Sequence, residues 1–116
     1  MPSPTAPEMI RALGLKPHPE GVAVRLPPQF SFCWRAASVH WHRIDAVEVW
    51  HYYAGAPLKL EVVDGSKEEI FRLGADINAG EAPQVTVPAR AWQAAESLGP
   101  WTLTGCTVAP EFIRRI

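Results

Sequence analysis

Short strands divided by closely spaced turns predict an all-β sandwich or barrel with one short helix at its N-terminus. Two observations carry this. Apolar and polar residues alternate in brief runs, as in Phe30 to Trp34 (F-S-F-C-W) and Leu58 to Val63 (L-K-L-E-V-V). The breaks between runs are turn formers: Pro27-Pro28, Ala54-Gly55, Asp64-Gly65 and Asn78-Ala79-Gly80.

The elements follow in order. Thr5 with Glu8 three residues on is a capping box, and Pro7 suits a first helical turn. A helix is therefore predicted from Ala6 to Leu13, with Met9, Ile10 and Leu13 on one face and Gly14 as its stop. Residues 1–5 form a loose tail, and Leu15 to Gly21 a proline-stiffened entry into the sheet. Strands are predicted over Val22–Leu26, Phe30–Trp34, Val39–Ile44, Val47–Tyr53, Leu58–Val63 and Glu68–Leu73. Gln84–Val87, Ala91–Ala95, Trp101–Val108 and a short Phe112–Ile113 complete the set. Asp64-Gly65 makes a tight hairpin.

At 116 residues the chain has room for one domain, spanning 1–116. A net charge of −1, with scattered basic residues, argues against nucleic acid or an anionic membrane as partner. No apolar run approaches the ~20 residues of a membrane span. M-P-S-P-T-A-P lacks the pattern of a signal peptide, so a cytoplasmic location is expected. Cys33 and Cys106 read as reduced, buried small hydrophobes.

The richest stretch is Ser38 to Gly55, S-V-H-W-H-R-I-D-A-V-E-V-W-H-Y-Y-A-G. On a strand, alternate side chains share a face, which pairs His40 with His42. The same rule groups Glu48, Trp50 and Tyr52 against Val49, His51 and Tyr53. A carboxylate on an inward face must be paired or solvated in a pocket, because a lone buried charge costs several kcal/mol. Arg43 and Arg72 are candidate partners for it. Imidazoles converging with a carboxylate make either a metal site or a polar ligand pocket.

Four segments in order resemble the cupins, specifically the cupin-5 (DUF985-type) group. They are L-G-L-K-P-H-P-E-G (Leu13–Gly21), H-R-I-D-A-V-E-V-W-H-Y-Y-A-G-A-P-L (His42–Leu58), R-L-G-A-D-I-N-A-G-E-A-P-Q-V-T-V-P-A-R-A-W-Q-A-A (Arg72–Ala95) and L-T-G-C-T-V-A-P-E-F (Leu103–Phe112). The chain departs from the pattern at Val22 and Ala23, where a glycine and an aromatic are usual, and at Arg90 and Glu111, where glycine is common. The resemblance implies a small cupin barrel (jelly roll) of two facing sheets, commonly a homodimer. In the superfamily's metal motif Glu48 is well placed and His42 takes the first histidine position. Ile44 occupies the second, and Gln93 aligns with the last histidine.

Several functions remain open at this point. The first is a protein binding a small polar metabolite through His42, Glu48 and Gln93, with His40 near the mouth and Trp50 and Tyr52 as walls. Gln84 and Trp92 join the ligand-binding candidates from the second block. The second is a sugar-type isomerase or epimerase, with His42 as base and Tyr52 as acid beside Glu48. The third is an enzyme using a divalent metal on His40, His42, Glu48 and Gln93; the other readings need no cofactor. A non-catalytic interaction module, its interior filled by aromatics, is the fourth.

Overall fold

The computed structural model describes residues 5–14, 16–17, 23–24, 31–34 and 39–109. The helix α1 spans Ala6–Leu13, as its capping signals require. Thr5 accepts a hydrogen bond from the Glu8 amide (3.3 Å), and Gly14 closes the helix in the left-handed region at φ 64°. Met9, Ile10 and Leu13 pack on Trp101 and Leu103, as does Ala54 of the strand Val47–Gly55.

Ten strands follow among the described residues: β1 (Lys16–Pro17), β2 (Ala23–Val24), β3 (Ser31–Trp34), β4 (Val39–His42), β5 (Val47–Gly55), β6 (Leu58–Asp64), β7 (Lys67–Leu73), β8 (Gln84–Val87), β9 (Trp92–Ser97) and β10 (Trp101–Ala109). They form two antiparallel sheets, one ordered β1-β2-β3-β10-β5-β8 and the other β4-β9-β6-β7. Loop 64–67 joins β6 to β7 as the Asp64-Gly65 hairpin requires, with Asp64 opposite Lys67. The expected turn at Asn78 is a single 3-10 turn, Ile77–Ala79, capped by the Asp76 carboxylate and ended by Gly80 at φ 84°. Phe112–Ile113 lies outside the described residues, as do the outer parts of the expected Val22–Leu26 strand.

Alternation along the strands builds the core. Leu58, Leu60 and Val62 of β6 face Trp50, Val85 and Val87 from the other sheet, with Val39, Leu73, Ala91 and Ala95. Cys106 is half-buried against this cluster; the Cys33 side chain lies outside the described set. The ninth strand starts at Trp92 rather than at Ala91 because Arg90 makes a left-handed turn at φ 68°. The Arg90 amide donates to the Ile44 carbonyl (2.9 Å), and its Nε to Asp45 Oδ1 (3.1 Å). No helix of the described residues is long and apolar enough to cross a membrane.

Candidate functional site

β5 is regular from Val47 to Tyr52, so parity alone fixes its inner face. Glu48, Trp50 and Tyr52 look towards the opposite sheet, and Val49, His51 and Tyr53 look out. His51 Nε2 lies 3.1 Å from Thr107 Oγ1 on that outer face.

Across the gap, β9 brings Gln93 inward at 1 % exposure. Trp50 Nε1–H donates to Gln93 Oε1 at 2.8 Å, and Gln93 Nε2–H donates to Glu48 Oε1 at 2.8 Å. The order of this relay follows from chemistry. An indole N–H only donates, so the amide oxygen must face Trp50. The NH2 end is then aimed at Glu48, which must accept.

His42 stands directly opposite Gln93 in the β4–β9 ladder, so it shares the inner face. Its Nδ1 lies 2.8 Å from the His40 carbonyl oxygen, which only accepts. Nδ1–H is therefore the donor to that carbonyl.

The expected pairing of His40 with His42 fails. The ladder pairs Val39 with Ala95 and His42 with Gln93, so β4 carries one residue more than β9 between these points. This bulge turns His40 and Trp41 to the outer face together. His40 lies in a shallow depression of about 430 Å3 with Lys59, Glu61, Ala94 and Glu96, the outward residues of β6 and β9.

Two ligand-binding expectations also fall on outer faces. Gln84 is exposed and pairs with His51, while Trp92 pairs with Val63 and is half-exposed. Neither arginine suggested for Glu48 is seen on it. The Arg43 guanidinium lies 4.9 Å from the Trp92 ring centroid, and Arg72 Nη2 is 3.9 Å from Glu81 Oε2.

Tyr52 has the inner face but not the expected partner. Its hydroxyl donates to the Gly55 carbonyl (2.5 Å), onward along β5 and away from Glu48. At ~3.4 Å per residue Tyr52 is roughly 14 Å along the strand from Glu48. Burial, and then the negative charge of Glu81, pushes its phenol above the ordinary 10.0. Glu81 itself was missed by sequence reasoning. It folds over Gly74, accepts from the Asp76 amide (3.0 Å) and has a side chain only 8 % exposed.

The donor set does not fit a metal ion. His40 is on the wrong face, Ile44 is apolar and buried, and the amide oxygen of Gln93 is committed to Trp50. Among the described residues no three His, Cys, Asp or Glu side chains gather as metal ligands.

Two facing antiparallel sheets with a polar group set between them define a cupin barrel. The family follows from the sequence: the Cupin_5 model, described as cupin superfamily (DUF985), matches residues 30–115, and the chain belongs to that family. A protein from Shewanella oneidensis has a similar structure, with TM-score 0.88 and 24 % identity, covering 98 % of this chain and 85 % of its own. A hypothetical protein from Leishmania major gives TM-score 0.83 and 25 % identity over 96 % of this chain and 86 % of its own. Vicilin from hazelnut, Corylus avellana, shares the fold alone, at TM-score 0.58 and 13 % identity over 75 % of this chain and 24 % of its own. The comparison with curated proteins gives no match.

Proposed function

We propose that this cupin binds a small polar metabolite at the Glu48–Gln93–His42 end of its barrel, through hydrogen-bond donors that the ligand supplies. The observation carrying this reading is the relay from Trp50 through Gln93 to Glu48. It holds a carboxylate in one orientation at a half-buried position, where a carboxylate is otherwise costly. One oxygen takes the Gln93 N–H, and a carboxylate has acceptor capacity beyond a single bond. His42 presents its imidazole on the same face. On this reading the ligand is donor-rich, a polyhydroxylated or amine-bearing compound rather than a carboxylate or phosphate. Trp50 lies at 3 % exposure, so it orients Gln93 and lines the core.

A panel of polyols, amines and organic anions, screened by thermal shift and then calorimetry, tests the reading. Binding by a donor-rich compound that falls at least tenfold in Glu48→Ala supports it. Binding confined to anions, or unchanged in that variant, overturns it.

A further inference from the structure

The β4 bulge sets His40 and Trp41 together on the outer face of the β4-β9-β6-β7 sheet, opposite the single residue Ala94. A bulge forfeits ladder hydrogen bonds, and this one gains no burial in return, since Trp41 ends 49 % exposed. Bulges that re-aim side chains in this way gather beside functional sites. The result here is a depression of about 430 Å3. The Ala94 methyl is its floor, and His40, Trp41, Lys59, Glu61 and Glu96 are its walls. Trp41 also lines a second space, a wholly apolar groove of about 190 Å3 shared with Val63 and Trp92. One indole is thus common to a polar depression and an apolar groove.

The chemistry of these linings selects the ligand. Lys59 and Glu61 form a 3.2 Å ion pair whose side chains remain 36 % and 35 % exposed. The ammonium donates, the Glu61 and Glu96 carboxylates accept, and an imidazole such as His40 does either. Beside the apolar groove the Arg43 guanidinium stacks 4.9 Å from the Trp92 ring centroid. Two cations therefore stand among two carboxylates, and an ion of either sign meets a like charge beside each opposite one. A protein partner would desolvate all four charges at its centre, where interfaces are depleted of them. Sugar hydroxyls use the mixed set fully, because each both donates and accepts. The C–H face of a pyranose ring is flat and apolar, which suits an exposed indole. We propose that this face binds a neutral oligosaccharide, one ring against Trp41 in the polar depression and the next over the groove towards Trp92. The site is independent of the one inside the barrel. The sheet lies between them, since Ala94 faces out where Gln93 and Ala95 face in.

Calorimetric titration with malto-, cello-, manno-, xylo- and chitopentaose tests the proposal, followed by the shorter members of each series that binds. The expected result is saturable binding of at least one pentaose, millimolar or tighter, that strengthens from the monosaccharide to the disaccharide. Trp41→Ala, which removes the shared indole, should weaken it at least tenfold. Ala94→Gln fills the depression from its floor and should do the same, which supplies a second variant should the first unfold. Circular dichroism checks each fold. A wild type inert to every pentaose overturns the proposal, and that is the outcome if a protein covers the face instead. A loss smaller than tenfold in every folded variant also overturns it. So does binding that depends on Glu48 rather than on Trp41, because the sugar then sits inside the barrel.

Discussion

Gln93 and Glu48, 45 residues apart in the chain, join the two sheets through a 2.8 Å hydrogen bond. Because Gln93 also accepts from Trp50, a single buried amide sets the position of both the indole and the carboxylate. Gln93→Leu keeps the volume and removes both bonds, leaving the buried Trp50 N–H without its acceptor. The expected loss is about 2–4 kcal/mol, read from urea unfolding with Trp fluorescence as a second probe. A change below ~0.5 kcal/mol would show that the relay contributes little.

Leu60→Ala tests the core itself. Leu60 is fully buried between the sheets, so the expected cost is about 2–5 kcal/mol. Lys59→Ala, on the outward side of the same strand, removes only a partly exposed 3.2 Å ion pair with Glu61 and should cost under ~1 kcal/mol.

Gly55 has φ 90°, and an added methyl would meet the Trp101 ring and carbonyl at 2.6 Å. Gly55→Ala should therefore destabilise by about 3 kcal/mol or more. It should also disturb the Tyr52 hydroxyl, which donates to the Gly55 carbonyl.

Among the described residues, Arg90 is the non-glycine residue in the left-handed region. Left-handed backbone costs a side-chain-bearing residue ~1–2 kcal/mol, against an exposed ion pair to Asp45 worth ~0–1 kcal/mol and the greater unfolded-state entropy of glycine. Arg90→Gly should raise stability slightly, on the order of 0.5 kcal/mol. Asp45→Ala in the Arg90→Gly background should then be neutral.

Tyr52 gives a pH dependence with a definite sign. Its phenol titrates above 10.0 in the folded chain, so the unfolded chain loses its proton first as pH rises. The Tyr52 contribution is fully present below pH 10 and is lost as pH climbs from there through the folded value. Denaturation curves from pH 8 to 11.5 should show a decline that is shallower in Tyr52→Phe. An identical decline in both proteins would remove Tyr52 as its source.

Much of the architecture was legible because local signals and packing agree. Thr5, Glu8 and Gly14 bound α1, and Asp64-Gly65 sets the β6–β7 register. The inner face of β5 was legible for the same reason, since nothing interrupts its alternation at Glu48, Trp50 and Tyr52. His40 was misplaced because the β4 bulge arises from pairing with β9, and its own residues carry no mark of it. Gln84 and Trp92 were misplaced by one step of parity: the residues after them, Val85 and Gln93, face inward. Gln93 itself was found only through resemblance. A glutamine in an ordinary strand announces neither its burial nor the indole that orients it.

The most direct measurement is side-chain NMR of Gln93 and Trp50 during titration with a donor-rich ligand from the screen. The account predicts that the Gln93 NH2 and the Trp50 indole N–H shift together and saturably, and that Glu48→Ala abolishes both shifts. Saturable binding that leaves these two resonances unmoved, or moves them equally without Glu48, would contradict it.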